Sequence, residues 1–291
     1  MFEKEEELNT IDHKELRYHI LFLKKLFQYR KKKVHLPCLE IWTGNQCRLR
    51  CQHCISFIPY VTERKVSFKK TLLSLHRILA LATIDRLIIG GGEPFGDPEI
   101  WRMINEASSC PSIRQIHIYT SGTDMPSGRT IQALKDSKIH VFIHRYPGME
   151  EQAKALFLQL KKAHISCSYY APVWKMLGGP FQQRLHFETT RVLFQECAMK
   201  QHAVLFDGEF TACPRGIHTR TVLKMPKNTW EHLDVFRLKP GAVSRARIAA
   251  ATDPGCYKDY CLYCLGMSPE NPYQVIPGEQ YSRKFERKSE P

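Results

Sequence analysis

Three cysteines, Cys47, Cys51 and Cys54, lie in the run Gly44-Asn-Gln-Cys-Arg-Leu-Arg-Cys-Gln-His-Cys54, a C-x3-C-x2-C spacing. Thiolates this close along a chain bind metal more often than they do anything else. A structural zinc takes four protein ligands. A four-iron cluster held by three thiolates keeps one iron free for chemistry. The question is whether protein fills the fourth position, with His53 or Cys38 as candidates, or a cofactor does. A second set follows: Cys197 and Cys213 bracket Asp207-Gly208, and Cys261-Leu-Tyr-Cys264 is a C-x2-C pair. The same four thiolates could hold zinc or an iron–sulfur cluster. Cys256 is left over, and Cys38, Cys110 and Cys167 read as buried thiols. Between the two sets lies Gly90-Gly91-Gly92-Glu93-Pro94. Glycines there let backbone approach a ligand closely, and Glu93 offers an acceptor to a cationic group such as an amine.

The chain has 291 residues, 43% of them hydrophobic and 25% charged, enough for a large α/β domain or a barrel with a small appendage. It has no apolar run of about 18 residues, so no transmembrane segment is expected. The start, Met1-Phe-Glu-Lys-Glu-Glu-Glu, lacks the apolar stretch of a signal peptide. A reducing cytoplasmic location is expected, where eleven cysteines serve as metal ligands and buried thiols rather than disulfides. The net charge of +14 suits either solubility or an anionic partner. The one dense basic run, Arg-Lys-Lys-Lys at 30–33, reads as the solvated end of a helix. No interleaving of basic and aromatic residues suggests nucleic-acid binding.

Residues 12–31 read as an amphipathic helix, with Asp12 and Glu15 as its cap pattern. Leu16, Ile20, Leu23 and Phe27 form the face expected to pack on the main domain. Strands at 36–42, 85–89, 115–119, 140–144 and 165–171 alternate with helices at 67–82, 97–109, 129–137 and 149–163. Asp97 is the expected cap of the second of these helices. Such alternation builds a parallel sheet with helical crossovers, open or closed into a barrel. Strand alternation points His117, Tyr119, His144, Glu40 and Tyr169 into the lumen. Beyond 178 the rhythm breaks. Asp207-Gly208 between short β runs marks a hairpin, a helix is expected at 242–251, and the tail from Glu279 is expected to fray. The expected organisation is a helix at 1–35, a barrel at 36–190, a small second domain at 191–270 and a tail at 271–291.

The triad after the first strand, with Gly91-Gly92-Glu93-Pro94 after the second, resembles the radical S-adenosylmethionine (radical SAM) superfamily over residues 36–266. The resemblance implies a partial (β/α)6 TIM-type barrel with a small C-terminal auxiliary-cluster domain. Cys47, Cys51 and Cys54 would hold three irons of a [4Fe–4S] cluster, and the fourth iron would chelate S-adenosylmethionine. Gly91, Gly92, Glu93 and Pro94 would form its amino-group contact, with Glu93 as acceptor. Reductive cleavage would give methionine and a 5′-deoxyadenosyl radical that abstracts hydrogen from an unactivated carbon. A flavodoxin- or ferredoxin-type donor would supply the electron.

His53 is a candidate to pack against the adenine. Ser121 and His144 are candidate cofactor contacts, although Ile143-His144-Arg145-Tyr146 departs from the family's Ser or Asp at the end of the fourth strand. The second cysteine set is similar to the Twitch domain, a shortened relative of SPASM. Cys197, Cys213, Cys261 and Cys264 would then bind one auxiliary [4Fe–4S] cluster, with Cys256 a candidate hydrogen-atom donor. These likenesses imply dehydrogenation or epimerisation at a carbinol carbon of a small sugar-like, aminocyclitol or anionic substrate, in glycan or natural-product biosynthesis. Peptide or protein modification is the rival enzyme class, and a metal-binding redox or interaction module is the non-enzyme alternative.

Overall fold

The computed structural model describes residues 2–281, with side chains from Glu15 onward. Helix α1 (Phe2–Gln28) begins ahead of the expected start, so Asp12 lies inside it; the Asp12 side chain is outside the described residues. The expected packing face is turned outward: Leu16, Ile20, Leu23 and Phe27 are all exposed. The opposite side docks instead. Tyr18 is buried, stacks on Trp230 and donates its hydroxyl to Glu231 at 2.8 Å, while Lys25 pairs with Asp253 at 2.7 Å. Helical periodicity locates an apolar stripe but cannot choose between two faces that both carry large side chains. Here the aromatic face with satisfied polar ends is the one buried.

After α1 the chain alternates strand and helix. These elements are β1 (Val34–Gly44), α2 (Phe68–Leu81), β2 (Ala82–Gly91), α3 (Ile100–Ser109), β3 (Ile113–Thr120), α4 (Gly128–Ala133), β4 (Ile139–His144), α5 (Glu150–Lys162) and β5 (Cys167–Tyr170). A short β6 (Trp174–Lys175) and α6 (Phe187–Gln195) lead to the hairpin β7 (His202–Phe206) and β8 (Glu209–Thr211). Then come α7 (Pro214–Val222), β9 (Leu233–Asp234), α8 (Ala242–Ala251) and β10 (Gln274–Val275), which pairs antiparallel with β6. The eight-stranded sheet runs β5-β4-β3-β2-β1-β7-β8-β9. Its six strands β1 to β5 and β7 are parallel, a partial TIM-type barrel. The sixth strand comes from an unexpected source. The first arm of the hairpin pairs with β1, Cys38 opposite His202, and so carries the barrel sheet across the expected 190/191 boundary.

Local chemistry explains the elements. Ser67 caps α2 by accepting from the Lys70 amide. Asp97 does not cap α3; it accepts from the Glu99 amide at 3.1 Å, and Glu99, two residues later, takes the cap position. Asp207 and Gly208 both have positive φ, as a two-residue hairpin turn requires. The outward faces of the parallel strands, including Leu39, Ile41, Leu87, Ile89, Ile116 and Ile118, pack under the helices as one core. The inward faces carry polar and aromatic groups. Tyr169 is the exception to the expected lumen set. It stacks on Phe157 of α5 and donates to the Glu150 carbonyl, and Tyr170 faces the lumen in its place. A one-residue error of phase reverses every side chain of a strand.

Candidate functional site

Because β1 and β2 are parallel, their C-terminal ends release the cysteine loop and the glycine loop side by side, with a bulge at Trp42/Gly44 that brings Gly44 opposite Gly91. The loops are stitched by backbone. The Gly92 amide donates to Gly44 O at 3.2 Å and the Glu93 amide to Gln46 O at 2.8 Å. Gly91 has φ +111°, and a Cβ on Gly92 would be driven into the Gln46 carbonyl. Asn45, buried, ties the loop's return by accepting from the Arg64 amide and donating to Thr62 O.

Cys47, Cys51 and Cys54 open onto one cavity of about 480 Å³. Leu49 and Tyr146 pack around them. Burial pushes the Cys47 and Cys51 thiols up to about 12, with charge repulsion among the three sulfurs adding to it. Among the described residues no three Cys, His, Asp or Glu side chains stand close enough to share one ion. A cubane places its thiolates at separate corners, farther apart, and the cavity in front of them has room for it and a bound cofactor. The zinc alternatives for a fourth ligand are otherwise engaged. His53 lies 3.7 Å from Glu279, and Cys38 hydrogen-bonds His202.

Glu93 is buried with every acceptor site used. Oε1 accepts from Thr120 Oγ1 at 2.5 Å and the Phe95 amide, and Oε2 from the Ser121 amide at 2.9 Å and Ser121 Oγ at 2.7 Å. Burial raises its pKa, and those four bonds oppose the rise. Its carboxylate therefore fastens the glycine loop to the end of β3. Ser121 serves this anchoring, and Thr120 joins it, a residue for which the sequence carried no signal.

Further into the lumen, Glu40 accepts from Trp42 Nε1 at 2.7 Å and stands 2.8 Å from His202 Nε2. Burial alone would lower the His202 pKa, but bonds to Cys38 and the Glu40 carboxylate outweigh it and raise it to about 9. A raised histidine pKa means this pair's stabilisation is full below about 6.5 and is lost as pH climbs through about 9, an effect on the order of 3 kcal/mol. The apparent melting temperature should fall across that window, and His202→Gln should flatten the fall; an unchanged slope in the variant would count against the pair. His144 bridges the hydroxyls of Tyr146 and Tyr170, each at 3.1 Å, and burial drops its pKa to about 4, so it is neutral at pH 7. Arg86, Tyr119 and Lys175 complete the polar lining.

A family model describing the radical SAM superfamily matches residues 42–149, the span that holds both loops. Over that span, just over a third of its length, the chain is similar to the radical SAM superfamily. Enzymes of this family use a [4Fe–4S] cluster together with SAM. Over 105 residues, 36% of this chain, it is 32% identical to GTP 3′,8-cyclase of Clostridium acetobutylicum, of which the match covers 31%. It is 26% identical over 93 residues to molybdenum cofactor biosynthesis protein 1 of Bos taurus, covering 31% of this chain and 15% of that protein. The chain thus spans less than a third of these relatives. Among solved structures, BtrN in complex with AdoMet and 2-DOIA aligns with TM-score 0.50 at 17% identity, over 84% of this chain and 97% of BtrN. Histidine-tagged anSMEcpe with bound AdoMet aligns at TM-score 0.50 and 11% identity, over 78% of this chain and 88% of that one. At these identities the likeness is one of fold.

The second cysteine set shares a cavity of its own. Cys197 at the end of α6, Cys213 at the cap of α7, and Cys261 and Cys264 around the 3₁₀ turn Asp259–Tyr263 all line one cavity of about 40 Å³. That volume suits a compact inorganic group and nothing the size of a substrate. Two amides aim at sulfur: Lys258 N to Cys261 Sγ and Gly266 N to Cys264 Sγ, both at 3.4 Å. Burial pushes Cys213 and Cys261 far up, with neighbouring thiols adding. Cys256 is elsewhere. It is buried beside Tyr18 and Tyr257 and lines neither cavity, because the chain turns away after α8.

Of the tail expected to fray from Glu279, the described residues 279–281 are paired instead, and the rest lies outside the described residues. Residues 278–281 cross the cysteine loop as a strap. Tyr281 N donates to Arg50 O at 2.5 Å, Gln52 N to Glu279 O at 2.7 Å, and Gln280 Nε2 reaches Cys51 Sγ at 3.8 Å. His53 turns to Glu279 here. No periodicity foretells a contact between segments this far apart in the chain.

Proposed function

We propose that this radical SAM enzyme oxidises a carbinol carbon of a small sugar-like or aminocyclitol substrate. Cys47, Cys51 and Cys54 would hold the SAM-binding cluster, and Cys197, Cys213, Cys261 and Cys264 an auxiliary [4Fe–4S] cluster. When bound, the first would supply, with SAM, the removal of one hydrogen atom, and the second would supply an acceptor for the remaining electron as the hydroxyl proton leaves, which balances a two-electron oxidation to a carbonyl. One observation carries this reading. Ile55, Leu177, Met199 and Met267 line both cavities, so a single layer of side chains separates the four-thiol site from the substrate space. A complete set of four thiolates leaves no iron open for substrate, which favours electron transfer over binding.

The chain's own residues fit a hydroxylated substrate. Glu40, His144, Tyr119 and Tyr170 present donors and acceptors, and Arg86 and Lys175 bring positive charge that suits an anionic substituent. His202, held cationic by Glu40, orients that carboxylate. Cys256, outside both cavities, supports dehydrogenation over an epimerisation that needs a thiol donor. A flavodoxin- or ferredoxin-type protein would supply the first electron. The test is Cys213→Ala, assayed anaerobically with a panel of sugars and aminocyclitols. Iron should fall from about eight to about four per chain, 5′-deoxyadenosine should still form, and oxidised product should disappear. Undiminished product from the four-iron variant would refute the relay.

A further inference from the structure

Lys258 is 2% exposed, its Nζ has no hydrogen-bond partner, and it lines the cavity shared by Cys197, Cys213, Cys261 and Cys264. Behind it the Tyr18 ring centroid lies 5.7 Å from Nζ, and the Tyr18 hydroxyl is committed to Glu231. A buried amine with no partner costs several kcal/mol in a protein interior unless something anionic meets it. Arg215 lies on the same cavity. It is 2% exposed, spends Nη2 on the carbonyls of Gly178 and Tyr263, rests on the Phe57 ring at 4.2 Å, and leaves Nε without a partner. Two basic side chains with unspent donors thus surround four thiols in a space too small for a substrate. Four thiolates around a four-iron core carry a net charge of about −2 in the oxidised form, a counter-charge for these unspent donors beyond the Glu231 and Asp253 carboxylates whose field also reaches Lys258.

We infer that Lys258 is the charge partner of the auxiliary cluster, assisted by Arg215, and that it raises the cluster's reduction potential so that it can take an electron from the substrate side. This rests on the four-thiol site holding a [4Fe–4S] cluster. Reduction adds a negative charge, so a fixed positive charge nearby favours the reduced form, and in a dry site the interaction is weakly screened. Lys258 is a positioning and tuning residue here; it touches neither substrate nor SAM.

The experiment uses the full-length chain with Cys47, Cys51 and Cys54 replaced by Ala, so that only the second site loads. The cluster is titrated electrochemically and followed by electron paramagnetic resonance. Lys258→Met and Lys258→Gln should each lower the reduced-to-oxidised ratio at a fixed potential by about tenfold or more, a downward shift of about 59 mV per tenfold for one electron. Lys258→Arg, which keeps the charge, should stay near the parent. Loss of the cluster in the Met and Gln variants with retention in the Arg variant would support the same role, since charge would then be needed to hold it. A loaded cluster with the same potential in all three variants would overturn the inference and leave the cluster assignment intact. If the parent itself loads no iron at this site, the cluster assignment fails and the inference falls with it.

Discussion

Cys51→Ala is expected to yield no detectable 5′-deoxyadenosine under reducing, anaerobic conditions, while iron drops from about eight to about four per chain. The reason lies in how little redundancy the loop has. Three thiols open onto one cavity, and Cys51 is the most enclosed of them. Its amide and carbonyl neighbours also shape the site: the Cys54 amide donates to Cys51 O, and Gln280 on the tail strap reaches Cys51 Sγ. A cluster held here would contribute folding free energy to the loop, so removing one of three ligands is expected to release it. The remaining iron should keep the spectrum of the four-thiol site, because Cys51 lines the other cavity. Cleavage of SAM within tenfold of the parent rate would mean that these cysteines are not the cluster ligands. Secondary structure should be unchanged, since the core sits on the far side of the sheet, among Leu39, Ile41, Leu87 and Ile89.

The parts of this protein legible in sequence are those where neighbours along the chain decide the outcome. Short apolar runs such as Leu87-Ile88-Ile89 between turn residues mark strands. Ser67 marks a helix start, Asp207-Gly208 a hairpin, and cysteine spacing a metal loop. What escaped prediction depends on partners far away. The hairpin signal says that β7 pairs with β8, but nothing in it says that β7 also pairs with β1, more than 150 residues earlier. The two faces of α1 could be told apart only by what they meet, and Trp230, Glu231 and Asp253 meet the aromatic and lysine side. Tyr169 and Tyr170 differ by one residue, and only the ladder to β4, Ile143 opposite Tyr169, fixes which points inward. At the candidate site, the motif residues were visible and their supports were not. Thr120 behind Glu93, Gln280 over Cys51 and Lys258 beside Cys261 have no spacing rule to announce them.

Gly92→Ala should separate the two loops without unfolding the barrel, costing about a hundredfold in SAM cleavage against only about 1–3 kcal/mol in stability. Gly92 has an ordinary φ, so backbone strain is not the cause; the added methyl meets the carbonyl carbon and oxygen of Gln46, which cannot rotate away as a side chain could. Relief requires the glycine loop to retreat from the cysteine loop. That breaks the bonds from Gly92 N to Gly44 O and from Glu93 N to Gln46 O. Glu93 would follow its backbone, pulling on Thr120 and Ser121, to which both its oxygens are tied. The glycine loop and the three thiols would then no longer be held in register. Gly128→Ala is the control. A methyl there finds open space at the start of α4, and the residue has no positive φ, so that variant should keep both stability and cleavage. The decisive readout is iron loading and SAM binding measured separately. Retained iron with weakened SAM binding places the damage on the glycine loop, loss of both places it on Gln46 and the cysteine loop, and full retention of both would show that the close approach of these backbones is not what aligns the site.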